Sequence, residues 1–209
     1  MKTNRNTASS GNARPPDWAE TLLRLTLKEN DRDPVSGDLL EEYRETIRPA
    51  RGARAADRWY ILQVGGFLCR ATWIWTLLFS GAFLARTAYD WFVPTHDFAA
   101  RSTATTAIAV AIMLMVGFWA AWRSRSFIAG TLAALVTSLT AAIMQVAGAA
   151  ALLAIWHDPQ TMSAIRGSGG LAEVFELPFM MAVPAVFLGT VGGVIGSAIT
   201  RLQRKTAGT

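Results

Sequence analysis

The sequence predicts an all-α protein in which a small cytosolic helical module is followed by a four-helix transmembrane bundle. Three observations predict it. Hydrophobic residues make up 52% of the 209 residues, with 8 tryptophans, and the mean hydropathy is +0.28, which is more apolar than a soluble fold usually carries. The charges are segregated, since residues 1–70 hold 12 of the 20 Lys and Arg and 10 of the 15 Asp and Glu. Beyond them run four apolar stretches, each supplying the ~20 helical residues that a ~30 Å hydrocarbon core demands. Lipid offers the backbone no hydrogen-bond partners, so all four are expected to be helices.

The N-terminus, "MKTNRNTASSGNARPP", is polar and lacks the apolar run of a secretory signal. Residues 1–14 are therefore expected to be a retained, disordered tail. A cytosolic module is expected over 15–64. Asp17 reads as an N-cap, and Trp18, Leu22 and Leu25 share one helical face while Glu20 and Arg24 are spaced i, i+4 on another. A second helix is expected to start at Asp33 and Pro34, with Val35, Leu39, Tyr43 and Ile47 as its apolar stripe and Pro49 as its stop. Two such short helices rarely stand alone, so the pair is expected to lean on a third helix or on the membrane.

That third helix is expected from about Ala53 and to run straight into the membrane. Arg51, Arg54 and Arg58 recur at helical spacing and are expected to face anionic lipid headgroups, with Trp59 and Tyr60 in the interfacial layer. Asp38, Glu41, Glu42 and Glu45 on the preceding helix form a solvated face or a surface for a partner.

The membrane domain is expected over 65–205, with spans at about 71–93, 102–122, 127–156 and 177–200. The third is long and is expected to tilt or protrude. Of the 20 Lys and Arg, 17 fall on the side of the N-terminal region, the turn at Arg123 and Arg125, and the tail after Thr200, while only Arg86, Arg101 and Arg166 remain for the other side. The positive-inside rule then places both termini in the cytoplasm, with Thr95 and Ser168 outside.

Within the spans, "GTVGGVIGSA" has no preceding strand and no acidic partner, so a nucleotide loop is a poor reading. Gly189 with Gly193, and Gly192 with Gly196, read as small-xxx-small helix-packing faces, and Pro184 as a kink. Gln145, preceded by Thr137, Ser138 and Thr140, is the most conspicuous polar residue expected in the bilayer, with interhelical hydrogen bonding as its expected role. Arg86 and Asp90 are spaced to pair near the outer end of the first span. The loop "GSGG" at 167–170 is expected to be a flexible outer hinge.

Enzymatic chemistry is not indicated. The sequence has no GxxxxGK[ST] loop, GxSxG elbow or HExxH helix, and the single cysteine, Cys69, excludes an intramolecular disulfide and a CxxC pair. His96 with Asp97 and His157 with Asp158 form a metal-ligand set only if their two outer loops converge; ordinary loop chemistry accounts for them, and no metal or other cofactor is assigned. The excess charge is only +5, with acids interleaved among the bases, so nucleic acid is not expected as a partner.

The segment "PPDWAETLLRLTLKENDRDPVSGDLLEEYRETIRPARGARAADRWYILQV" resembles the permease prefix domain, a module found in bacteria ahead of macrolide-exporter-like ABC transporter permeases. The likeness is carried by Pro15 and Pro16, Leu22, Asp31, the "GDLLEEYRE" block and "WYILQV". It covers about a quarter of the chain. The large extracytoplasmic domain of such permeases has no counterpart here. What the resemblance implies is a bacterial inner-membrane protein acting beside a transporter. The expectation is a non-enzymatic accessory or regulatory subunit, the alternative being a small transporter or channel formed as a homo-oligomer.

Overall fold

The computed structural model describes residues 14–93, 98–155, 159–167 and 170–207. Among these every regular element is helical, and the chain divides into two compact units, one ending at Arg70 and one beginning at Ala71.

The first unit contains α1 (Asp17–Thr26), a 3₁₀ turn (Glu29–Asp31), α2 (Arg32–Glu42), a π-helical turn (Tyr43–Ile47), α3 (Arg48–Arg51) and the first turns of α4 (Ala53–Phe92). Its buried side chains include Ala19 and Leu23 of α1, Leu39, Tyr43 and Ile47 along the α2 stripe, and Ala56, Tyr60 and Val64 of α4. The partner that a two-helix module lacks is therefore the beginning of α4.

The local rules operate with small shifts. Asp17 is the first helical residue and Pro16 the N-cap, so Asp17 acts through its charge in the first turn rather than through a cap bond. On α1 the buried face is Ala19 and Leu23, whereas Trp18 is 58% exposed. In α2 the cap is Asp31, with Asp33 and Pro34 inside the first turn. Pro49 does not end the helix. Because proline cannot donate to the carbonyl four residues back, the chain widens into the π turn just before it and continues through α3 to Gly52, whose φ of 78° makes the break.

The second unit holds the rest of α4, α5 (Phe98–Ser124), α6 (Phe127–Ile155), α7 (Pro159–Gly167), α8 (Gly170–Met180) and α9 (Ala182–Ala207). Four helical stretches, Ala53–Phe92, Ala99–Ser124, Phe127–Ile155 and Val174–Gln203, are long and apolar enough to cross a membrane. By length and composition this is a multi-pass membrane protein. Large apolar side chains such as Trp73, Leu78, Val183 and Phe187 point outward, a distribution that water penalises and a bilayer accepts.

The fourth span is interrupted at Met181, between α8 and α9. Pro184, whose nitrogen cannot donate to the Met180 carbonyl, lies three residues beyond the break, at the place where the sequence suggests a kink. The segment before this span, read from the sequence as loop, contains a helix: Thr161 and Ile165 of α7 are buried, and Ile165 joins Trp91 and Ala149 in a small apolar cluster.

α5, α6 and α9 meet backbone to backbone. A methyl group on Gly117 would come within 2.2 Å of the Gly189 carbonyl oxygen, and one on Gly130 within 2.6 Å of the Gly117 carbonyl oxygen. On α9, Gly192 and Gly196 abut α5 at Leu114 and Phe118, while Gly189 and Gly193 abut α6 at Gly130, Ala134 and Phe127. Gly192 and Gly196 thus face α5 and Gly193 faces α6, while Gly189 lies close to both. α4 packs otherwise, through aromatic rings: Phe79, with Trp75 and Phe83, joins Met113, Val116 and Ala133 in the main apolar cluster.

Candidate functional site

Two constellations of polar side chains stand out, one in each unit. In the first unit Tyr60, expected at the headgroup layer, lies fully buried and donates a hydrogen bond to Glu20. This corrects the interfacial reading: an aromatic ring with a polar tip suits a module core that offers a carboxylate as well as it suits a headgroup layer. Ser36 also donates to Glu20, and Arg24 donates from Nε at 2.8 Å. Tyr43 stands edge-on to Tyr60 with ring centroids 5.9 Å apart and donates to Asp57 at 2.6 Å. Trp59 is half-buried, and Arg51, Arg54 and Arg58 are exposed, as are Asp38, Glu41, Glu42 and Glu45.

The electrostatics of this network give it a pH window. Burial pushes the Glu20 carboxyl up, but hydrogen bonds from Ser36, Tyr60 and Arg24, together with the Arg24 charge, outweigh that, and it lies below its ordinary value of 4.5. Its contribution to stability is therefore complete above about pH 4.5 and lost as pH falls through the lower folded value. Burial and the Asp57 hydrogen bond push Tyr43 up from 10.0 to about 12. A raised tyrosine stabilises the fold fully below pH 10.0, and that contribution disappears as pH rises through about 12. Thermal unfolding of the full chain, followed by circular dichroism, is expected to shift down on both flanks. Glu20→Gln is expected to flatten the acid flank and Tyr43→Phe the alkaline one.

In the second unit Arg86 and Asp90 pair at 3.3 Å on α4, as their spacing predicts, and Arg101 of α5 joins the same carboxylate at 2.7 Å. All three side chains are largely buried, at 19%, 14% and 20% exposure. The Arg101 guanidinium also lies 5.2 Å from the centre of the Tyr89 ring, within cation–π range. Arg101 was legible only as a topological charge; its pairing with Asp90 needs the knowledge that the α4 and α5 ends adjoin.

Arg86 and Asp90, together with Thr87 and Gln145, also line a cavity of about 90 Å3. Gln145 is buried, yet its Nε2 meets no acceptor among the described residues. The expected interhelical bonding is made by threonines instead: Thr76 with Thr140 at 3.0 Å between α4 and α6, and Thr131 with Thr190 at 2.9 Å between α6 and α9. Arg86 also lines an open groove with Tyr89, Arg101 and Thr105.

Thr95, His96, Asp97, His157, Asp158 and Ser168 lie outside the described residues. Among the described residues no group of three or more His, Cys, Asp or Glu is placed to hold a metal ion. Comparison with known proteins returns no matching family model, no matching curated protein and no matching solved structure, so a functional reading rests on the residues and their geometry.

Proposed function

We propose that this chain is a non-enzymatic accessory or regulatory subunit of a membrane transporter, held in the bacterial inner (cytoplasmic) membrane with both termini in the cytoplasm. The observation that carries the reading is the exposed acidic face of the first unit, Asp38, Glu41, Glu42 and Glu45, in a chain whose α5, α6 and α9 are packed glycine to glycine. Close backbone packing of that kind favours a static anchor over a solute path. The likeness to the permease prefix domain supports a partner of the transporter class. Arg51, Arg54 and Arg58 supply the lipid side of the reading: each exposed arginine near an anionic surface contributes about 1 kcal/mol.

The test is a variant carrying Asp38→Asn, Glu41→Gln, Glu42→Gln and Glu45→Gln, compared with the parent after cross-linking in the native membrane. Loss of a transporter partner from the variant, with the same amount of protein in the membrane, is the expected outcome. In proteoliposomes the parent alone is expected to give no saturable solute flux. Robust uptake by the isolated protein would instead favour a small oligomeric transporter or channel, the reading to which the Gln145 cavity lends support.

A further inference from the structure

Gln145 sits near the middle of α6 with its side chain 7% exposed. A buried donor without an acceptor is costly in any protein interior and more so in a membrane, where the surrounding lipid offers no substitute. This one is not sealed against close-packed hydrocarbon. It faces a space of about 90 Å3 shared with Arg86, Thr87 and Asp90, which between them bring guanidinium and hydroxyl donors and a carboxylate acceptor. Cavities hold water when they are polar, offer two to four hydrogen-bonding partners and are roomy enough, and liquid water occupies about 30 Å3 per molecule. All three conditions are met. Apolar side chains, Leu84, Trp91, Val174 and Leu177 among them, complete the wall and limit the space to small occupants.

We propose that this cavity is a binding site for a small oxygen acceptor, to which Gln145 Nε2 donates and which bridges to the Arg86–Asp90 pair. The chemistry is that of water or of a small carbonyl solute of similar size. Arg86 also lines the open groove beside Tyr89 and Arg101. The site is independent of the acidic face of the first unit and of the partner proposed for it. Failure of one leaves the other standing.

The experiment uses the full chain in nanodiscs with 15N-labelled glutamine side chains. There are four glutamines, Gln63, Gln145, Gln160 and Gln203, so the variants Gln63→Glu, Gln160→Glu and Gln203→Glu identify the Gln145 signal by elimination. Magnetisation transfer between the Gln145 amide and water is the result expected if water is the occupant. A saturable shift of that amide alone on titration with formamide, without water transfer, assigns the site to a carbonyl solute. Neither transfer nor shift would overturn the proposal. Thermal unfolding gives a second reading: Gln145→Leu is expected to lower the transition temperature by breaking the bridge, whereas a rise would mean that the amide was an unpaired donor in a dry cavity.

Discussion

Gly192→Ala is expected to destabilise the bundle by about 1–3 kcal/mol, the range for forcing extra atoms into a well-packed interior. A methyl group there would sit 2.2 Å from the Leu114 carbonyl oxygen and 3.0 Å from the Phe118 nitrogen. These are backbone atoms of α5, so relief requires a whole helix to move rather than one side chain to turn. Gly189→Ala meets the Cβ of Ala134 at 2.2 Å and is expected to behave alike. The control is Gly81→Ala on α4, where nothing lies within 4 Å and alanine's better helix propensity makes the change neutral or slightly favourable. Reversible unfolding in mixed micelles checks all three. Equal stability of the Gly192 and Gly81 variants would mean that α9 does not approach α5 as described.

Asp90→Asn carries the second large effect. One carboxylate serves Arg86 at 3.3 Å and Arg101 at 2.7 Å, and neutralising it leaves two guanidinium groups in a low-dielectric site without that anion. Removing one partner from a buried ion pair costs about 3–5 kcal/mol; with side chains still 14–20% exposed, the lower end applies here. A double variant, Asp90→Asn with Arg86→Gln, is expected to recover part of the loss, because one of the two guanidinium charges goes with it. If the single and double variants lose stability additively, Asp90 and Arg86 are not coupled and the triad is only proximity.

Much of the architecture was legible because it depends on local pattern. Apolar length gave the four spans, and the spacing of Gly189 and Gly193 against Gly192 and Gly196 gave two packing faces, since small residues repeated every four positions form a strip along which helices approach closely. What was not legible depends on which distant residues become neighbours. Tyr60 reads the same in sequence whether its hydroxyl meets a headgroup or Glu20, and only the fold of α1 onto α4 decides. Arg101 meets Asp90 because two helix ends adjoin, a fact of topology rather than of either segment's composition. Gln145 was found as a polar residue, but the α4–α6 hydrogen bond is made by Thr76 and Thr140, and Gln145 lines a cavity instead. α7 escaped because "PQTMSAIRG" is short and nearly as polar as a loop, and its burial comes from contact with Trp91 and Ala149.

The claim on which the whole account turns is that the α5–α6 turn and both termini lie on the cytoplasmic side, with α7 on the other. The direct measurement is cysteine labelling of intact cells with an impermeant thiol reagent, in a Cys69→Ser background that removes the single native thiol. Ser126→Cys reports the turn and Ser163→Cys the exposed face of α7. The account predicts labelling of Ser163→Cys in intact cells and of Ser126→Cys only after the membrane is opened. Labelling of Ser126→Cys from outside, or protection of both positions until lysis, would contradict it.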